Sequence, residues 1–349
     1  MQNLIYTLPI ILLISFFWKA DFFKRDLYKE ALSLDNALVV RGFAAISVVL
    51  CHTGIPVFYR HGYLFVAMFY FFSGYGLMYG FLKKKDYLEG FLKKRFLSLM
   101  IPYWVATLLY IVWFFILGHT FEFKEILLSF IFPYLAGGRI VTVAWYVCTI
   151  AVFYLAFYIF FKFFSVKKAI CLISVFNIAY IIYCKEFVHV SSIVWYCSNL
   201  PFLLGILIAY KKEFVEKIIK DKYFILAITF VTTLSIALLY LKVSRTIMQQ
   251  IASLSIVSLL VLVMYRTHLK SKVLAFCGKI SYEIYLCHYL IMLPLNNTYK
   301  FVNPGYKSSI YSVQLDNQFL VAVFSVLGTI CISYFIKKFN SKVMKLCHI

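Results

Sequence analysis

Apolar runs long enough to cross a bilayer, each bounded by a short polar connection, follow one another along most of the 349-residue chain. Runs of about 17 to 25 such residues predict transmembrane helices. Eleven are legible, at 3–18, 37–57, 62–82, 96–118, 141–164, 168–184, 191–210, 222–241, 247–265, 274–295 and 317–336. The first is the shortest. Its start, Met1-Gln2-Asn3, has no positive n-region and no small-residue cleavage site follows, so a retained helix is expected rather than a signal peptide. The run at 125–135 is too short to span and reads as a re-entrant or interfacial piece. No stretch shows the period-2 alternation of a membrane barrel, and neither a repeat nor a pair of similar halves is evident. The pattern predicts an all-α, polytopic membrane helix bundle: a ten-helix core preceded by one extra helix.

Composition agrees, with 63% hydrophobic and 14% charged residues against about 25% charged in soluble domains. The net charge of +21 would suit a nucleic-acid partner, but the basic residues sit between apolar runs and form no surface stripe, which excludes that class. They read as topology signals. Alternate connections hold 26 and 8 Lys and Arg residues, and Arg41 inside a span completes the 35. Cytoplasmic loops carry the excess, so an amino terminus outside and a carboxyl terminus inside is expected. The nine cysteines lie mostly in or beside apolar runs without a C-x-x-C spacing, and adjacent Cys-His pairs point about 100° apart on a helix. Neither a disulfide framework nor a metal site is expected.

Ionisable groups inside spans are costly and usually functional. Arg41 and His52 lie eleven positions apart in the second span, so they share one helix face about 16 Å apart along the axis, with Ser47 about 120° away from both. A cation at the inner mouth and an imidazole about three turns deeper suit a long phosphate-bearing ligand. Equally, Arg41 can snorkel to the headgroups while His52 bonds a neighbouring helix. A second stripe, Ser281, Tyr285 and His288 at i, i+4 and i+7, places His288 about 13 Å in from Lys279, near the depth of His52. The two histidines can face one cavity, or the stripe can serve as interhelical glue.

Arg41-Gly42-Phe43-Ala44-Ala45 through His52 resembles the R-x10-H signature of the integral-membrane acyltransferase-3 family. Further matches follow in order: Phe71-Phe72-Ser73-Gly74-Tyr75, Lys94-Arg95 with Pro102-Tyr103, Trp145-Tyr146-Val147, Phe202 to Gly205, and Ile280-Ser281-Tyr282 to His288. The resemblance covers 35 to about 335. It implies two parts, an extra transmembrane helix with a cytoplasmic linker at 1–34 and a membrane acyltransferase domain at 35–349. Two departures concern the acceptor side or the subfamily. The segment Trp145 to Ala151 lacks the glutamate that many relatives carry, and Ser98 and Leu99 stand where a second arginine usually follows Arg95. No esterase-like domain follows the core, so transfer is expected to finish within the membrane domain.

The resemblance implies acyl-CoA, most readily acetyl-CoA, as the cytoplasmic donor and a hydroxyl of a surface polysaccharide or lipid-linked glycan as acceptor, in a bacterial cytoplasmic membrane. His52 is expected as the base, since imidazole titrates near neutral pH. Arg41 would hold the donor's phosphates, helped by Lys94 and Arg95. His288, with Tyr285 and Ser281, would orient His52 or donate to the oxyanion. Trp145 and Tyr146 would stack on a sugar ring. A homo-oligomer is compatible with the sequence. A glycan or small-molecule transporter or flippase is the alternative, since it too would bury Arg and His in the bundle.

Overall fold

The computed structural model describes residues 6–21, 27, 28, 30–116, 120–131, 140–187, 193–239, 244–295 and 317–347. Lys24, Arg25 and Lys29 of the cation-rich connections, and Arg139, Lys242, Lys300 and Lys307 of the sparse ones, lie outside them. The chain runs α1 (Thr7–Phe16), α2 (Leu34–His52), α3 (Gly62–Lys83), α4 (Phe91–Ile116), α5 (Phe123–Ile131), α6 (Trp145–Phe163) and α7 (Val166–Ile182). It continues through α8 (Leu200–Tyr210), α9 (Lys212–Leu239), α10 (Arg245–Arg266), α11 (Lys272–Lys279), α12 (Ser281–Leu295) and α13 (Gln318–Leu346). Among the described residues no strand forms beyond an isolated bridge between Asp21 and His268. The fold is an all-α polytopic bundle, and nine described helices are long and apolar enough to cross a membrane.

Three of the eleven expected spans differ. In the one at 191–210 a 3-10 turn at Ile193–Trp195 is separated by a non-helical stretch from the 11-residue α8. The described part of the first is only the 10-residue α1, whose Phe16 packs on Phe43 of α2 at 4.8 Å between ring centroids. The span at 274–295 is not continuous: helical geometry breaks at Ile280 (φ −110°, ψ 14°) between α11 and α12. Periodicity continues smoothly through the break, so the sequence pattern alone shows one helix. Just before the break Gly278 lies against the backbone carbonyl of Leu38, so α11 lies on α2 at a distance that only glycine permits. The run expected to be re-entrant at 125–135 overlaps α5, which begins two residues earlier, and 132–139 lies outside the described residues.

Helix starts follow ordinary capping chemistry. Ser33 accepts from the Asn36 N–H, Ser271 from the Leu274 N–H, and Asn317 from the N–H groups of Phe319 and Leu320. Small residues then set which helices meet. Gly74 of α3 abuts the Phe202 carbonyl of α8, and Gly205 of α8 abuts the Phe71 carbonyl of α3. The pair α2 and α11 repeats the device with Gly42 against the Leu274 carbonyl. In lipid, where helix association has no hydrophobic drive of its own, close backbone approach supplies much of the attraction. The aromatic side chains Tyr70, Phe71, Phe153, Phe157 and Phe202 fill the core between α3, α6 and α8. Outward positions of α9 stay apolar, with Phe224, Ile225, Ile228 and Val231 exposed, as a lipid-facing surface requires.

Candidate active site

Helices α2 and α12 run side by side, and polar contacts join them at both ends. At one end the Arg41 guanidinium donates to the Ser281 hydroxyl at 3.1 Å. At the other, the His52 and His288 rings stack with centroids 5.1 Å apart and planes 27° from parallel. The break at Ile280 matters here, because it starts α12 afresh at Ser281 and brings a helix amino end beside Arg41.

The two histidines have different partners. His288 is fully buried and its Nδ1 lies 2.8 Å from the Tyr285 carbonyl, which can only accept. Nδ1 therefore carries the proton, and Nε2 of the neutral ring is an acceptor without a hydrogen-bond partner. An oxyanion contact from Nε2 would require the imidazolium. His52 Nδ1 shares a 2.8 Å hydrogen bond with the Tyr289 hydroxyl. When Nδ1–H donates to that oxygen, the lone pair of Nε2 is left for a proton from elsewhere.

Two cavities approach each other beside this helix pair. The first, of about 350 Å³, is lined by Arg41, Arg95, Lys337, Ser281, Tyr282, Tyr146 and Tyr154, among others. Among the described residues no carboxylate lines it. Arg95 donates to the Tyr87 hydroxyl at 2.9 Å and lies over the rings of Phe91 and Tyr154, which hold its guanidinium in place. Lys337 of α13 pairs at 3.2 Å with Glu283, a fully buried carboxylate that also accepts from Asn340 at 3.3 Å. The second cavity, of about 380 Å³, is lined by His52, Tyr289, Cys51, Trp145, Tyr63, Arg60, Arg245 and Gln249, among others. Val66 and Tyr285 line both, and the Tyr285 hydroxyl is anchored on the Val143 carbonyl at 2.8 Å. The shared wall is thus one aliphatic side chain and one tyrosine.

The model of acyltransferase family 3, described as an acyltransferase domain, matches residues 33–338. The chain belongs to that family. No curated protein and no solved structure matches it. The protein is therefore a membrane-embedded acyltransferase, and its multi-pass bundle implies a bilayer, an acyl donor and an acceptor.

In this acyltransferase the residues singled out from the sequence separate into two groups. Arg41, Arg95, Ser281 and Tyr146 meet at the first cavity, His52 and Trp145 at the second, and Tyr285 belongs to both. Trp145 and Tyr146, expected to act together on a sugar, line different cavities, since neighbours on a helix point about 100° apart. Lys94 is exposed and absent from the cavity wall, turned away from Arg95 by the same rotation. Ser98 and Leu99, singled out in the sequence as lacking a second arginine, do line the first cavity, and a further cation there comes from Lys337.

Sequence reading missed Tyr289, Glu283, Lys337, Arg60, Arg245 and Gln249. Glu283 carried a usable signal, since it is an ionisable residue inside an expected span. Arg60 and Arg245 carried a weaker one, as cations in the sparse set of connections. Lys337 sits in a basic run that topology alone explains, and only the packing of α13 on α12 singles it out. Among the described residues, no group of three or more His, Cys, Asp or Glu side chains is placed to hold a metal ion.

Proposed function

We propose that the protein transfers an acyl group, acetyl by preference, from cytoplasmic acyl-CoA to a hydroxyl of a surface polysaccharide or lipid-linked glycan. The observation that carries this reading is the pair of cavities meeting at Tyr285 and Val66, one walled by cations and the other by an imidazole. The helix ends near Arg95 and Lys337 belong to the cation-rich connections, which supports a cytoplasmic face for the first cavity. In this reading the amino terminus lies outside and the carboxyl terminus inside the cytoplasmic membrane. Arg41, Arg95 and Lys337 hold the donor's phosphates, with guanidiniums suited to bidentate contact. Lys94, exposed beside them, adds only long-range attraction.

The thioester then reaches the thin wall between the cavities. His52 Nε2 takes the proton of the acceptor hydroxyl as its oxygen bonds to the thioester carbonyl carbon. The tetrahedral intermediate collapses, the carbon–sulfur bond breaks, and the thiolate leaves as free CoA after protonation. Tyr289 orients His52 through Nδ1. Ser281 fixes Arg41, Tyr285 shapes the wall, and His288 supports His52 by stacking. Trp145 offers a face for a sugar ring in the acceptor cavity, while Tyr146 packs on the donor side.

The purified protein, given acetyl-CoA and a mixture of surface glycans, is expected to release CoA thiol and to label a glycan. Absence of both release and acetyl-CoA binding would overturn the reading. Arg41→Gln should raise the KM for acetyl-CoA by about tenfold or more, the value of one charge-assisted contact, with a smaller change in acceptor KM. Tyr289→Phe should lower kcat by about tenfold and leave both KM values near wild type, as steady-state kinetics would show. An unchanged kcat would remove Tyr289 from the positioning of His52.

A further inference from the structure

The wall of the His52 cavity contains charge that membrane topology does not account for. Arg60 lies in the turn before α3 and Arg245 is the first residue of α10, yet both line this cavity. They come from the connections that together hold only 8 of the 35 basic residues, so orientation in the bilayer is served by the opposite face. Both are exposed, and among the described residues no Asp or Glu lines the cavity. Among the described residues the ion pairs are Lys185–Glu186, Lys212–Glu216, Lys270–Asp21 and Lys337–Glu283, and neither arginine takes part.

Two further features point inward. Gln249, one turn beyond Arg245 and only 4% exposed, lines the cavity with an Oε1 that has no hydrogen-bond partner. A buried amide oxygen left unsatisfied costs stability unless a ligand donates to it. Arg60 has φ +66°, a conformation non-glycine residues seldom adopt, and its guanidinium lies 5.2 Å from the centroid of the Tyr59 ring. Such strain tends to persist where a side chain must be held in one place. Trp145 and Tyr63 complete the wall with aromatic surface.

We propose that the acceptor is an anionic sugar, bearing a carboxylate or a phosphate, which Arg60 and Arg245 hold by its charge while Gln249 Oε1 accepts from one of its hydroxyls. This rests on the reading that the His52 cavity takes the acceptor. The anion anchors one end of the sugar, and the hydroxyl to be acylated reaches His52 Nε2. Exposed arginines act through a screened field, so acceptor affinity falls as salt rises.

Calorimetric titration in the absence of donor tests this directly. The protein in phosphatidylcholine nanodiscs is titrated with a glucuronate-containing trisaccharide, its carboxyl-reduced counterpart and a phosphorylated counterpart. At least one charged form should bind about tenfold or more tighter than the reduced one. Arg60→Gln and Arg245→Gln should each weaken that form by about tenfold, and the double variant should lose the preference. Equal binding of charged and reduced sugars, a preference that survives in the double variant, or no binding of any of them would overturn the proposal.

Repeating the titrations with phosphatidylglycerol in the nanodisc separates the sugar from a lipid headgroup. Arginines that respond only to the anionic lipid would be membrane anchors, and the proposal would fall. Selective binding of the charged sugar without CoA release from acetyl-CoA would count against acyl transfer and leave the anion site standing. CoA release with neutral sugars alone, without charge-selective binding, would do the reverse.

Discussion

His52→Ala is expected to lower the rate of acyl transfer by about 10² to 10⁴, the range a positioned general base contributes, while the bundle stays folded. The side chain lies at the carboxyl end of α2 beside a cavity, where its contacts are the Tyr289 hydroxyl and the faces of two rings. Shortening it removes the α2–α12 contact at that end, while the Arg41–Ser281 bond at the other end and the glycine contacts of α2 with α11 remain. CoA-thiol release, measured beside the thermal transition of detergent-solubilised wild type and variant, checks both halves of the expectation. A folded variant that keeps more than about a tenth of wild-type turnover would take the base away from His52.

The largest effect on stability is expected from Gly42→Ala and Gly278→Ala. A methyl group at Gly42 would lie 1.9 Å from the Leu274 carbonyl oxygen, and one at Gly278 would lie 1.9 Å from the Leu38 carbonyl oxygen. The obstacle in each case is backbone, so no side chain can turn aside and α11 must move off α2. Overpacking of this kind costs about 1 to 3 kcal/mol where side chains can yield, and more where they cannot. Each substitution should lower the thermal midpoint markedly and reduce activity, because Arg41 adjoins Gly42 and Ser281 begins the helix that follows α11. Gly76→Ala provides the control, since no atom within 4 Å meets its added methyl. Its stability should stay within about 0.5 kcal/mol of wild type. A Gly278→Ala protein as stable as the control would show that α2 and α11 are not held by this contact.

The candidate site was legible in the sequence to the extent that it depends on one helix. The R-x10-H spacing puts Arg41 and His52 on one face of α2, and the i, i+4, i+7 spacing aligns Ser281, Tyr285 and His288 on α12, because helix rotation is fixed by covalent geometry. Residues contributed by a second element escaped. Tyr289 became visible only through its bond to His52, and Lys337 only through its pairing with the buried Glu283.

The sequence by itself determined that this is an all-α membrane protein with helices of spanning length, because lipid demands apolar runs whose backbone groups bond internally. It also determined the family, since an ordered set of short motifs survives without reference to packing. Tertiary structure alone decided that the span at 274–295 breaks at Ile280, that Trp145 and Tyr146 line different cavities, and that Arg60 and Arg245, 185 positions apart in the chain, line one cavity. Hydropathy is a sum over neighbours in sequence. The break, the partition between cavities and the arginine pair depend on which helix faces come together in space, and that choice is made by close contacts such as Gly278 on Leu38, which no local pattern encodes.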